Sequence, residues 1–517
     1  MTVYAVTVFL LFIFTCYFCL DDTDIRFLQV QRTKSIFADP DLPISHYPFF
    51  FHGETKEADK CRYAPSCPYK KQADKDVCWG YEDDCNRKNI PLYPVCSVLH
   101  KLWATDLKNQ SDLFWQTSDF GYIKELKKQV EVCQAIEKDG SYMVCSKNLE
   151  YCKAHNIIIN FTRLLHENGR QTNRFREDMF TDGDIGGLCK INMYEKPALT
   201  GVLQSWFNEL SRFSSVNFTN NDCDILIEQP SFFMKMDSGI NMYHRFCDFV
   251  NLYLTQHLAS TFSKDINIIR WDTSSLGYRD DFNFMWNAFT NNPVISLDTW
   301  KNKTVCLKDA VFTVPSRTVK GFYYNMPVVP GCHGSSFINA FSQHVLHRLR
   351  VEHKQVDEIQ VTLIERKASH RNIVNQNELV AALTKRPNLH VKVVHLSRNL
   401  SLKDQLMLIH STDILIGIHG AGFTHILFLP QRAVVFEMYN CEDTCYASLS
   451  RLRGLYYLTW EDESKLQKHN QVPHPSLKIE HPKYCDYSFE VQEFQRIVKQ
   501  AEDHILHHRA PRARVEL

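Results

Sequence analysis

The chain has no surplus of either charge: 59 Lys and Arg face 59 Asp and Glu over 517 residues. That excludes the strongly basic surface of most nucleic-acid-binding domains and the excess acid of disordered acidic tails. It has no internal repeat and no long low-complexity tract, which excludes a repeat solenoid. After residue 20 no C-x-x-C pair occurs, so the usual spacing of a structural zinc site is missing. Beyond the N-terminus no apolar run approaches the length of a membrane span. What is there is an ordinary globular composition, 44% hydrophobic and 23% charged. The length corresponds to about three domain-sized units. The less ordinary figure is 18 cysteines, which the reducing cytosol would keep as thiols.

Both ends read as addresses. Residues 1–20 read as a signal peptide, because Val3–Leu20 is an uncharged 18-residue run closed by Asp21 and Asp22. An uncleaved anchor is the competing reading, since no Lys or Arg precedes the run and no small-x-small site stands near Cys19. Cys16 and Cys19 fall inside it, which leaves 16 cysteines, an even number suited to a disulfide-bonded lumenal protein. Sequons follow at Asn109, Asn160, Asn217, Asn302 and Asn399, candidate N-glycosylation sites. The chain ends Arg514-Val515-Glu516-Leu517, which reads as a degenerate KDEL-type retention signal with Val515 in place of Asp. The other reading is a solvated basic tail.

Between these ends, residues 21–150 are Cys-rich and irregular. Regular patterning begins near 151 and sharpens after 350. Short apolar strands are predicted at Glu358–Ile364, Val391–His395, Ile414–Ile418, Ala433–Phe436 and Leu455–Leu458. Helical patterns lie between them at Asn377–Thr384, Leu402–Ile409 and up to Leu429, where Pro430 follows. This alternation predicts βαβ units and a parallel sheet covered on both faces. The expected division is 21–150, then halves at 151–350 and 351–480, then a C-terminal helix and tail at 481–517.

Ligands of open parallel sheets bind beyond the carboxyl ends of the strands, and three groups of residues fall there. His419-Gly420-Ala421-Gly422 is a small-residue turn whose amides suit phosphate oxygens, or else a tight turn with a structural histidine. Arg366, Lys367 and Arg371 follow a strand and suit a diphosphate, or else form a solvated loop. Glu437 ends a strand where a carboxylate can accept ribose hydroxyls, or else is a surface acid or helix cap. Separately, Asn241, His244 and Asp248 share a helix face by spacing, close to Asp237. A histidine beside a carboxylate suits a general base; a buried polar network is the other reading.

Four segments carry a family resemblance: Phe233–Asp248, Trp271–Ser275, Ala340–Leu349 and Thr412–Pro430, the last extended by Phe436-Glu437 and Tyr439–Asp443. Arg371–Asn375 with Asn377–Leu379 resembles a family basic loop. Together they resemble glycosyltransferase family 61, in its extracellular O-GlcNAc-transferring branch. The resemblance implies an α/β, GT-B-like fold of two Rossmann-like halves: an acceptor-side half (151–350) and a UDP-sugar-binding half (351–480), behind the Cys-rich region. It implies an inverting transfer of one GlcNAc from UDP-GlcNAc to Ser or Thr of folded EGF-like domains of Notch-like and matrix proteins, in the endoplasmic reticulum lumen. It places the base among His244, Asp237 and Asp248. It places the donor on Asn241, Arg366, Arg371, Asn375, His419, Gly420, Ala421, Gly422 and Glu437. It excludes nucleic acid and a stable membrane span. A related transferase using another UDP-sugar or acceptor and a non-catalytic lumenal relic are the competing readings. At one point the sequence departs from the family. The acidic D-x-D triplet expected after Trp286–Thr290 is Asn291-Asn292-Pro293 here. Asp182-Gly-Asp184 and Asp222-Cys-Asp224 are the other such triplets noted. A divalent metal (Mn2+ or Mg2+) is therefore retained only as an optional activator.

Overall fold

The structure, a computed structural model, describes residues 39–509 apart from 165–174, 176–178, 193–202, 274–278 and 354–355. The apolar leader and the Arg514–Leu517 tail lie outside the described residues. Among the described residues no helix is long and apolar enough to cross a membrane.

The first half is built on an 11-stranded mixed sheet. Its long hairpin partner β1 (Cys152–Asn160) has a run of buried isoleucines, Ile157 to Ile159. Strand β2 (Ser231–Met234) is buried along its whole length. It leads into helix α1 (Met242–Leu258) and returns as β3 (Asn267–Arg270), parallel to β2. Strand β4 (Thr304–Phe312) lies parallel to β2 on one side and antiparallel to β1 on the other. This half thus contains a βαβ unit within a sheet that continues as an antiparallel meander. Strands Gln129–Ala135 and Tyr142–Ser146 join that meander, so the expected boundary near 150 passes through one continuous sheet.

The second half contains a five-stranded parallel sheet. Its elements are β5 (Ile359–Ile364), α2 (Gln376–Thr384), β6 (Leu389–Val394), α3 (Leu402–His410) and β7 (Ile414–Gly417). A 3-10 helix (Ala421–Phe428), β8 (Val434–Glu437), α4 (Cys445–Arg453) and β9 (Tyr456–Thr459) complete it. These strands were legible to within a few residues. The stretch before Pro430 is 3-10 throughout. The spatial order is β6-β5-β7-β8-β9, all parallel. Chain order reverses between β5 and β7, and a crevice opens beyond the strand ends at such a reversal. The last helix, α5 (Val491–Arg509), packs Phe494, Ile497, Val498, Ala501 and Ile505 into the core of this sheet.

The halves share a core. Helix α1 buries fifteen of its residues from Met242 to Leu258, because both of its faces are covered. Phe246 meets Phe428 of the 3-10 helix edge to face at 5.7 Å, and one apolar cluster runs from Phe232 to Phe423 and Tyr446.

Among the described residues six disulfides are present: Cys61–Cys67, Cys78–Cys85, Cys96–Cys332, Cys133–Cys189, Cys145–Cys152 and Cys223–Cys306. The bridge Cys96–Cys332 closes 236 residues and pins the N-terminal region onto the body. Four of the 16 cysteines stay outside these bridges: Cys247, Cys441, Cys445 and Cys485 are free thiols. Three of them are buried and pack as small hydrophobes, the usual state of an unbridged core cysteine. Of the sequons, Asn109, Asn217, Asn302 and Asn399 are exposed and Asn160 is half-buried.

Candidate active site

Beyond β5 the chain turns through Arg366 and Arg371. Arg371 sits at φ +63°, held there by its own N–H donating to Cys485 O at 2.8 Å. Its Nη1 donates to His419 O at 3.0 Å, and its Nε is buried without a protein acceptor. Arg366 donates from Nε to His370 O at 2.8 Å. Burial, with repulsion from Arg371, pushes the Arg366 guanidinium down to about 10. Among the described residues neither arginine has a carboxylate within ion-pair distance, whereas Lys367 pairs with Glu365 at 2.8 Å and stays exposed. Two adjacent, partly desolvated guanidinium groups without a counter-ion cost free energy unless an anion joins them.

Beyond β7 the chain runs His419-Gly420-Ala421-Gly422 into the 3-10 helix. The first amides of such a helix have no intrahelical acceptor, and Gly420 just before them stands against the Arg366 guanidinium. Gly420 is needed for space: a Cβ there would stand 2.6 Å from Arg366 Nη1. Gly422 is not, since its Cβ would make only ordinary contacts with Leu396 and Ile364. Gly420→Ala is expected to displace the Arg366 guanidinium, the movable end of a flexible side chain. Anion binding should weaken about tenfold for the loss of one charged contact, with an unchanged melting temperature. Calorimetry and a thermal melt together check this.

His419 is buried, with Nδ1 2.8 Å from Glu437 Oε1. Glu437 is fully buried, its other oxygen accepts from the Tyr457 hydroxyl, and burial raises its pKa against the pull of His419. The reading of Glu437 as a ribose acceptor is therefore corrected: it orients His419. Asn375 is corrected likewise. Its amide donates to Phe489 O and accepts from Phe489 N, tying the start of α2 to the strand Asp486–Phe489.

The second cluster stands at the carboxyl ends of β2 and β4. Asp237, three residues past β2, accepts from or pairs with His244 Nδ1 at 2.8 Å and Arg317 Nη2 at 2.9 Å. Burial raises the Asp237 carboxyl, but the hydrogen bond with His244 and the charge of Arg317 more than offset it and its pKa is lowered. Arg317 was missed; its only sequence signal is a lone arginine shortly after a strand. Asp248 is almost wholly buried, pushed up to about 7 by burial. It accepts from the Ser316 hydroxyl and from Asp237 N, so it supports Asp237 from below and is set aside as a base. Asn241 is exposed and caps α1, accepting from Tyr243 N at 3.0 Å. The donor contact expected of it gives way to a helix cap.

The two clusters adjoin through aromatic rings. His244 packs against Tyr324 at 5.2 Å, Tyr243 against Tyr446 at 5.7 Å, and Tyr446 against His419 at 5.1 Å. A histidine–aspartate pair thus faces an anion site across a layer of tyrosines.

Metal donors are a poor match for a hard divalent ion. Asp184 and Asp222 cap local turns at Thr181 and Thr219, and Asp224 accepts from Thr304 N. Asn291 and Asn292 line an open cavity of about 530 Å³ with Arg270 and Trp286. His419, Asp443 and Cys445 do approach within 4.8 Å, but that set mixes nitrogen, oxygen and sulfur. The Cys445 thiol is pushed far up by burial and by Asp443, and Mg2+ or Mn2+ wants carboxylate oxygens.

Residues 242–436 match the family described as Glycosyltransferase 61. The chain is 46% identical over 479 residues to the EGF domain-specific O-linked N-acetylglucosamine transferase of Pan troglodytes, covering 90% of each chain. It is 45% identical over 487 residues to the protein of that name from Gallus gallus, again 90% of each. With the Drosophila melanogaster protein of that name it shares 36% over 447 residues, 84% of this chain and 85% of that one.

Proposed function

Because the chain belongs to glycosyltransferase family 61, we propose that it transfers a single N-acetylglucosamine from UDP-GlcNAc to Ser or Thr hydroxyls of folded EGF-like domains, inverting the anomeric carbon. The observation that carries the donor half of this reading is the pair Arg366 and Arg371. They are partly buried, have no carboxylate within ion-pair distance, and sit beside open helix amides at the crevice between β5 and β7. A diphosphate supplies the missing anion, and its uncharged sugar accounts for the absence of further counter-charge. The name of these relatives supplies the sugar and the acceptor.

The reaction follows from the two clusters. Asp237 holds His244 Nδ1–H, which leaves Nε2 as the proton acceptor. As the acceptor Oγ attacks the anomeric carbon, its proton passes to His244 Nε2. The bond to the diphosphate breaks, and Arg366, Arg371 and the Ala421 and Gly422 amides stabilise the departing UDP oxygen. Attack from the face opposite the leaving group inverts the centre. The parallel sheet order and the βαβ unit around α1 support a GT-B-like cleft. Six disulfides support an oxidising lumenal compartment such as the endoplasmic reticulum.

The test is a transfer assay with UDP-GlcNAc and one folded EGF-like domain, with and without EDTA. Product with EDTA present is the expected result, since cationic side chains do the work the absent acidic triplet would give a metal. A donor panel adding UDP-xylose and UDP-GalNAc fixes the sugar. A preference for UDP-xylose would overturn the GlcNAc reading, and UDP binding without transfer would favour a non-catalytic lumenal protein.

A further inference from the structure

Beside the arginine pair stands an acid that an anion site has no evident use for. Asp443 follows β8, and its two oxygens have separate tasks. Oδ1 accepts from Cys445 N at 3.0 Å and so caps the start of α4. Oδ2 is 2.6 Å from Lys483 Nζ and 3.7 Å from His419 Nε2. Lys483 belongs to the turn Pro482–Tyr484, next to Cys485, whose carbonyl fixes the Arg371 amide. The lysine and Arg371 are therefore mounted on the same backbone contact. Both Asp443 and Lys483 remain about one-third exposed at the side chain, so a ligand reaches them. Lysine ammonium and imidazole converging on one oxygen is a geometry suited to a phosphoryl oxygen, and Asp443 supplies an oxygen of its own there.

We propose that Lys483 and His419 form a phosphoryl-oxygen subsite of the donor diphosphate, and that the Asp443 carboxylate fills this subsite until the donor displaces it. The inference rests on the donor reading above and extends it to two residues. It adds a lysine cation to the diphosphate site. It also gives the pair a regulatory sense, because donor affinity is set by competition between an internal and an external anion.

A plain surface ion pair makes a different forecast. Removing either partner of such a pair shifts UDP affinity only through solvent-screened Coulomb forces, by less than about tenfold and less still as salt rises. A filled subsite forecasts opposite shifts of about tenfold that persist at high salt. Asp443→Asn keeps the Oδ1 cap and removes the competing charge, so UDP should bind about tenfold tighter. Lys483→Ala removes the cation, so UDP should bind about tenfold weaker, and Lys483→Arg should recover most of that loss. The measurement is titration calorimetry of the full chain with UDP and, separately, inorganic pyrophosphate, with a thermal melt for each variant. Opposite shifts for the two variants that persist at high salt, with either ligand, support the subsite. If UDP binds and both variants shift alike, stay put or lose their shifts at high salt, the subsite falls and the donor reading stands. If pyrophosphate binds but UDP does not, and the variants still diverge, the subsite stands and the nucleotide reading falls. If neither ligand binds, both fall. Should Lys483→Ala fail to fold, the isosteric Asp443→Asn decides alone by the sign of its shift and its persistence at high salt.

Discussion

Arg371→Ala is expected to lower kcat/KM for UDP-GlcNAc by about 10²–10³, the usual loss when one preorganised charged donor to a leaving oxygen is removed. The size rests on desolvation. An exposed arginine pays its charge out into water, but this side chain is partly buried, with Nε enclosed and Nη1 committed to His419 O. It repels Arg366, which burial and this repulsion already push down to about 10. Removing one of two like charges relieves the fold while it disables the site. Stability should therefore hold: the loss of the Nη1 hydrogen bond, worth about 1 kcal/mol, is offset by the relief of repulsion. Arg371→Gly should melt slightly higher than Arg371→Ala, because glycine adopts φ +63° without strain. Arg371→Lys keeps charge but loses the fork and should recover only part of the rate. Parallel loss of melting temperature and activity in all three variants would reduce Arg371 to a structural residue.

Much of this site was legible in the sequence because each part of it follows a strand. The apolar run Ile414–Gly417 fixes a buried parallel strand, and whatever follows such a strand lies in the ligand-side loops. Arg366, Arg371 and His419 could be placed by that rule. Glu437 obeyed the same rule and was assigned the wrong task. Its burial depends on Tyr457 from the next strand, a contact between residues 20 apart whose register no local pattern reveals. Asn375 was misplaced for a related reason, since its partner Phe489 lies 114 residues away. Lys483 stands in an irregular stretch with no periodicity, and long-range bonds such as Arg371 N to Cys485 O and Lys483 Nζ to Asp443 bring it to the anion site. The mixed sheet of the first half was illegible from strand patterns because β1 and β4 pair antiparallel across more than a hundred residues. The four unpaired thiols were hidden by parity, because an even count says nothing about which cysteines are bridged.

His244→Ala is expected to lower kcat by about 10²–10⁴, the contribution of a positioned general base, with little change in KM for the donor. The choice between His244 and Asp237 turns on basicity and access. Asp237 is clamped between Arg317 and His244, and both lower its pKa, so it is the weaker base of the two. Its side chain is 7% exposed against 25% for His244, so the imidazole is the group that meets an incoming hydroxyl. Asp237→Asn should therefore cost less than His244→Ala. The amide no longer stabilises the imidazolium that forms as the proton arrives, but a base remains. Sign fixes the acid limb as well. A carboxyl lowered by its neighbours stays ionised as pH falls through the ordinary carboxylate range, so Asp237 keeps orienting His244 there. Protonation of Asp237 therefore contributes no loss of rate in that range. Added imidazole should restore part of the His244→Ala rate, since the cavity it leaves still faces the acceptor. If Asp237→Asn proves the more damaging variant and imidazole restores nothing, the carboxylate is the base and the histidine its positioning partner.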